Sequence, residues 1–460
     1  MTARAIHLVG IGGAGMSGLA RLAAAAGYRV SGTDREESET LAALRETGID
    51  ARAGHDAAAL PADAAALVVS TAIAPDNPEL AEARRRGLPV LHRSELLAEL
   101  MAGRRGLAVA GAHGKSTTSA MLVAALGDAS AAVGATIAGG GGTGALWGGG
   151  PWFVAEADES DRSLLNLAPE GAILLNVDHD HHATFASIED VRDVFRAFVA
   201  RLPADGLLVV GPDDEARACA EGAPCALRLV GDVPGAWGRA ERERGRRGFA
   251  LALGDGRRID VPLALEGRHN ADNAACALAL ADWCGVPPSR AAARLGGFAG
   301  VGRRMEPRGR AGGVEVVDDY AHHPAEIRAT LAAARERRPR RVVVVFQPHL
   351  PSRTRALADE LGAALGDADV VVVTEVYLAR EPADPRATGR AVAERIPAPA
   401  RAVHAATLAE AVEAALAEAR PGDLLITMGA GDVTLLGKEL VARLEKQSVD
   451  GDPDDRSRPA

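Results

Sequence analysis

Lys115 is one of only three lysines in 460 residues; the others are Lys438 and Lys446. It sits in Gly111-Ala112-His113-Gly114-Lys115-Ser116-Thr117, directly after the apolar run 107–110. A strand that runs into a glycine turn followed by Lys-Ser-Thr is a phosphate loop. Its backbone N–H groups wrap phosphates, the lysine reaches the terminal ones, and the Ser116 hydroxyl is offered to Mg²⁺. The loop is of a shortened kind, because Val109 stands where strict spacing wants the first glycine. With no nucleotide bound, the lysine is expected to face solvent.

Two carboxylate and histidine segments follow. Run 152–155 ends in Glu156-Ala157-Asp158-Glu159-Ser160-Asp161, and run 172–176 in Asn176-Val177-Asp178-His179-Asp180-His181-His182. Carboxylates at a strand's C-terminal end, after a phosphate loop, can hold Mg²⁺ opposite a nucleotide. Glu156 is the first choice, with Ser116 and His181 completing the metal set. Three histidines also invite zinc, but no cysteine lies nearby and phosphate chemistry calls for a hard cation. His179 and His182 are expected to play no part. An imidazole ligand suits Mn²⁺ better than Mg²⁺, so Mn²⁺ should substitute.

A second glycine cluster lies at the N-terminus. Gly10-Ile11-Gly12-Gly13-Ala14-Gly15 is a GxGxxG between a predicted strand, 5–9, and a predicted helix, 16–26. Small residues there let the backbone approach a diphosphate at the helix N-terminus. Asp34 ends the next strand and is placed for a ribose hydroxyl. The pattern names a dinucleotide-like diphosphate without separating NAD from a UDP-sugar.

These groups need elements to carry them. Short apolar runs alternate with helical stretches throughout, the pattern of parallel sheets wrapped by helices. The fold class is therefore α/β in three domains, each a mainly parallel sheet: Rossmann-like at 1–103, a phosphate-loop domain at 104–304, and Rossmann-like again at 305–446. Predicted strands are 5–9, 29–32, 67–70 and 89–91; then 107–110, 152–155 and 172–176; then 314–318, 341–346, 370–374 and 424–428. Glycines 139–142 and 148–150 bracket a mobile loop. The acidic, Pro-containing tail 447–460 reads as disordered. Hydrophobic residues make up 47% of the chain but aromatics only 3%, so the cores must be built of Ala, Val and Leu. A net charge of −10 argues against nonspecific nucleic-acid or anionic-membrane binding. The chain has no apolar run long enough to span a membrane and no signal-peptide pattern. The four cysteines form no CxxC pair, which fits free thiols in a reducing cytoplasm.

In this order, the pieces resemble the Mur ligases over nearly the whole chain. The resemblance rests on GIGGAGMSGLA at 10–20, GAHGKST at 111–117, AEADESD at 155–161 and GRHNADNA at 267–274. GVGRRME at 300–306, DDYAHHP at 318–324, FQPH at 346–349 and GAGD at 429–432 extend it. It implies ATP-dependent ligation of L-alanine to UDP-N-acetylmuramate through an acyl phosphate, in peptidoglycan precursor synthesis. The alternative is a recycling ligase that attaches a murein peptide to the same sugar acid. Carried over, Gly12, Gly13, Ala14, Gly15 and Ser70 would bind the UDP-sugar with Asp34. His269, Asn270 and Asn273 would hold the ATP base side, and Arg304 and Asp319 would reach the nucleotide from the third domain. Tyr320, His322 and Arg353 would meet the amino acid, with His322 as base. The catalytic group would be Lys115, Arg304, Asp319 and His322. Asp178 departs from the family's usual Glu, and Leu350 and Pro351 stand where an Arg is common. Sister ligases that bridge metals with a carbamylated lysine need one the central block lacks, since its only lysine is Lys115.

Two further rivals make different use of the same motifs. A nicotinamide-dependent dehydrogenase explains the N-terminal glycines and leaves the phosphate loop idle. A nucleotide-gated binding module would hydrolyse ATP and join nothing.

Overall fold

A computed structural model describes residues 4–138, 142–182, 184–242, 247–379 and 381–450. The chain forms three α/β domains built on mainly parallel sheets. No helix among the described residues is long and apolar enough to cross a membrane.

In the N-terminal domain, strand Ala5–Val9 is buried along its whole length and takes the centre of a five-stranded parallel sheet. Arg29–Asp34 and Ala66–Val69 flank it, with Asp50–Ala53 and Val90–His92 at the edges. His7 lies inside this apolar strand because its ring has partners on both sides, Ser31 Oγ at 2.8 Å and Glu79 Oε2 at 2.9 Å. Thr33 Oγ1 donates to the same carboxylate at 2.7 Å, so the buried polar cluster is satisfied. The glycine turn and Ser70 follow the C-terminal ends of neighbouring strands and Asp34 ends its own, where parallel sheets gather ligand sites.

The central sheet has seven strands, with Arg105–Ala110 in the middle between Gly171–Leu174 and Trp152–Glu156. Leu207–Val210 and Ala226–Leu229 extend one side; Ser130–Ala132 and Ala145–Leu146, the last antiparallel, extend the other. The phosphate loop and both acidic segments thus leave adjacent strands at the same sheet edge. Helices Lys115–Leu126 and Arg268–Trp283 pack together over this sheet through small residues such as Ala120, Ala271 and Ala275. An antiparallel sheet of Gly238–Glu241, Phe249–Leu253 and Arg258–Val261 joins the same core.

The C-terminal sheet has six strands in the order Glu306–Ala311, Val314–Asp319, Leu424–Met428, Val342–Phe346, Val370–Val373 and Arg401–His404. Only the first is antiparallel. Its functional edge carries Asp319, the segment after Phe346 and the glycines after Met428.

Several expectations need adjusting. The first helix is Ala14–Ala25, starting two residues before the predicted 16. Helix Leu436–Asp450 runs past 447, where the sequence reading began its disordered tail. Residues 139–141 and 451–460 of the predicted loop and tail lie outside the described residues.

Candidate active site

The N-terminal cavity, about 520 Å³, is lined by Gly10, Gly13, Ala14, Gly15, Asp34, His55, Ser70 and Arg93. Gly10 adopts φ +74°, which a side chain would disfavour, and so turns the chain sharply after its strand. Asp34 secures this turn: its carboxylate accepts from Gly12 N at 2.8 Å and Arg35 N at 2.7 Å. A Cβ on Gly12 would lie 2.9 Å from that carboxylate, so a side chain there would push Asp34 off the turn it secures. Arg93, which the sequence did not single out, reaches from this cavity to Asp158 and Asp161 of the central domain, 3.1 Å from each.

The main cavity is about 630 Å³ and draws on all three domains. The phosphate loop forms one wall, Ala14 a corner, and Arg304, Tyr320, His322, His349 and Arg353 the facing wall. Gly114, at φ +82°, caps helix Lys115–Leu126, whose free N–H groups face the cavity. Lys115 is not open to solvent as expected. Its side chain is 13% exposed, and Nζ donates to Gly111 O (2.7 Å), Ala112 O (3.0 Å) and Glu159 Oε1 (3.0 Å). Burial would lower its pKa, but Glu159 and Asp158 raise it, so the ammonium stays charged. The loop therefore holds its cation on an internal carboxylate.

Ser116 Oγ donates to Glu156 Oε1 at 3.0 Å, and Glu156 Oε2 accepts from Gly134 N at 2.7 Å. Burial pushes the Glu156 carboxyl up despite Lys115 nearby. A desolvated carboxylate beside a hydroxyl is a hard oxygen donor set that fits Mg²⁺. His181 lines the same cavity and leans on Glu159, 3.5 Å away. His179 turns to Phe185 O at 3.2 Å and stacks edge-on with His182.

On the facing wall, Arg304 and His322 share Glu326, at 3.3 Å each. Glu326 is buried, which would raise its pKa, yet His322 and Arg304 hold it well below the usual range. Burial drives His322 down to about 4. Tyr320 lies between Arg303 and Arg304, 4.9 and 5.5 Å from its ring centre. Arg353 is buried and forked onto Asp180. Asp319 turns inward, accepting from Met305 N (2.8 Å), Ala321 N (2.9 Å) and Thr330 Oγ1 (3.0 Å), and so fixes the segment that presents Arg304 and Tyr320.

A connected cavity of about 470 Å³ lies behind the phosphate loop and holds His269, Asn270, Asn273, Thr117 and Asp319 together. Asn273 packs against Gly114, where a Cβ would sit 2.9 Å from its Nδ2. Asn270 Nδ2 donates to Glu266 O at 2.7 Å. Burial and then Arg304 push His269 down to about 4, leaving a neutral ring.

Comparison with known proteins bears directly on this arrangement. Three family models match in sequence: the Mur ligase family catalytic domain at 5–105, the Mur ligase middle domain at 150–281, and the Mur ligase glutamate ligase domain at 303–431. The UDP-N-acetylmuramate--L-alanine ligase of Kineococcus radiotolerans is 48% identical, covering 96% of this chain and 96% of the relative. That of Mycobacterium bovis is 46% identical, covering 96% and 95%. The chain belongs to the Mur ligase family. Among solved structures, the UDP-N-acetylmuramate-alanine ligase of Thermotoga maritima is similar with a TM-score of 0.79 and 27% identity, covering 96% of this chain and 99% of that one. A murein peptide ligase of Psychrobacter arcticus shares the fold at TM-score 0.70 and 24% identity, with 96% and 99% covered.

Within this Mur ligase, the sequence missed Glu159, Asp180, Glu326 and Arg93. A signal existed for Glu326, which stands four residues after His322 where a helix would bring the two together. Glu159 and Asp180 sat inside quoted motifs without a partner to give them meaning. Nothing local marked Arg93, which only the packing of two domains brings to the site.

Proposed function

We propose that the chain ligates L-alanine to UDP-N-acetylmuramate at the expense of ATP. The observation that carries this reading is the single cavity in which a phosphate loop, an N-terminal glycine turn and a cationic third wall meet. The identity to relatives named for this activity supports the choice of substrates.

In this reading the UDP diphosphate lies over Gly12, Gly13, Ala14 and Gly15, with Asp34 and Ser70 at the ribose and uracil end. ATP places its phosphates over 111–117 and its base between His269, Asn270 and Asn273. The muramate carboxylate attacks the γ-phosphorus, ADP leaves, and an acyl phosphate forms. The neutral amine of alanine then attacks the acyl carbon and phosphate departs, its proton passing to water or phosphate. The first step brings anion to anion. Lys115 would move from Glu159 to the terminal phosphates, and Arg304 would release Glu326 to face the same charge. Mg²⁺, held by Ser116 and Glu156 with His181 nearby, would supply further charge neutralisation on the phosphates. Tyr320, His322 and Arg353 would surround the amino acid, and closure of the third domain would keep water from the acyl phosphate.

The test is isotope transfer. UDP-N-acetylmuramate labelled with oxygen-18 in its carboxylate should pass one labelled oxygen to each inorganic phosphate released. Unlabelled phosphate would refute the acyl-phosphate route.

A further inference from the structure

His113, Asp178 and His323 converge from three separate places: the phosphate loop, the segment after strand Gly171–Leu174, and the N-terminus of helix Pro324–Glu336. His113 Nε2 lies 3.2 Å and His323 Nδ1 3.5 Å from the same oxygen, Asp178 Oδ2. All three donor atoms lie within 4.8 Å of one another. Two ligands about 2.1 Å from a tetrahedral ion are separated by about 3.4 Å, so both measured distances match the edges of such a site.

His323 Nδ1 is the acceptor of the helix cap, from Ala325 N. At 3.4 Å the cap is long, and the lone pair is only loosely committed. This nitrogen stands 3.5 Å from Asp178 Oδ2, the oxygen that His113 also approaches, so a cation placed among them would meet a donor atom from each residue. The His113 and His323 rings lie 4.7 Å apart at a 31° tilt, which brings the two domains' donors to one side of Asp178.

We propose that His113, Asp178 and His323 form a transition-metal site, of the Zn²⁺ or Co²⁺ class, that ties the central domain to the C-terminal domain. Two imidazoles and one carboxylate favour a borderline-soft ion over Mg²⁺. The site shares no residue with the Ser116–Glu156 pair, so the two sites differ in both position and metal preference. Because its ligands come from both sides of the cleft, a bound ion would hold the cleft closed.

Co²⁺ added to the full-length, nucleotide-free chain in excess Mg²⁺ tests this by visible absorption. One Co²⁺ per chain with the intense d–d bands of a low-coordinate site is expected. Asp178→Asn and His323→Gln should each weaken Co²⁺ binding at least about tenfold, whereas Glu156→Gln should leave it unchanged. His323→Cys keeps a ligand in place and should add a near-ultraviolet sulfur-to-cobalt charge-transfer band; it covers the case in which another variant folds poorly. No Co²⁺ bound overturns the proposal. So does binding that survives both Asp178→Asn and His323→Gln, or binding that is lost in Glu156→Gln.

Discussion

Arg353 and Asp180, 173 positions apart in sequence, form a buried fork across the cleft between the central and C-terminal domains. Arg353 Nε donates at 2.9 Å and Nη2 at 2.8 and 3.1 Å to the carboxylate. Burial would raise the Asp180 pKa, but Arg353 and then His181 hold it well below the carboxylate range. The residue expected to meet the amino acid is thus also a bond between domains, placed next to His181.

Removing one partner of a buried pair costs about 3 kcal/mol, because the other charge is left stranded. Here the two partners sit on different domains, so the loss should appear as opening of the cleft more than as unfolding. Arg353→Ala and Asp180→Ala should each raise the solution radius of gyration and lower kcat, and a double-mutant cycle should give a coupling of about 1 kcal/mol or more. Arg353→Lys should recover little, since an ammonium cannot fork. Strictly additive effects would deny the bond.

Lys115→Ala should lower turnover roughly a hundredfold or more, the scale for one preorganised charge. It should also lower the melting temperature, because Glu159 is left buried without its ion pair. Adding Glu159→Gln should restore melting but not turnover. Recovery of both would mean that Lys115 has only a structural role.

Metal dependence should separate neighbouring histidines. His181→Ala should raise the Mg²⁺ or Mn²⁺ concentration needed for half-maximal activity, and Glu156→Gln should raise it further. His182→Ala should not, because its ring packs on His179 and is absent from the cavity wall. Metal titrations of activity for the three variants give the answer. An effect of His182→Ala alone would place the ligand one residue later.

The His113 network gives a signed pH dependence. Burial alone would lower the His113 pKa, but Asp178 and Glu326 raise it to about 9. A folded pKa above the unfolded value stabilises the native state fully below about pH 6.5, and the contribution fades as pH rises through about 9. Denaturant midpoints of the metal-free protein should therefore fall between about pH 7 and 10 by more than in His113→Asn. Parallel curves would show that His113 gains no proton on folding.

Much of this architecture was legible because its strands are short apolar runs with clear ends, such as Val342–Phe346 and Leu424–Met428. Glycine turns and carboxylates follow those ends directly, so the motifs fall into place from the sequence. Strands such as Gly238–Glu241 and Arg401–His404 were hidden because Arg, Gly and His break the apolar pattern, and their pairing comes from neighbours. The site was legible as far as each residue's type implied a role. What stayed hidden was pairing: Lys115 with Glu159, Arg353 with Asp180, Arg304 with Glu326. An ion pair between distant segments leaves no spacing to read.

The central claim is the chemistry of ligation, and product analysis tests it most directly. The purified chain would be incubated with ATP, Mg²⁺ and UDP-N-acetylmuramate, with L-alanine, with a murein tripeptide, or with no acceptor. Released phosphate and product mass would be followed together. The account predicts one phosphate per molecule of UDP-N-acetylmuramoyl-L-alanine, formed fastest with L-alanine. Product formed only with the tripeptide, or phosphate released with no new amide, would contradict it.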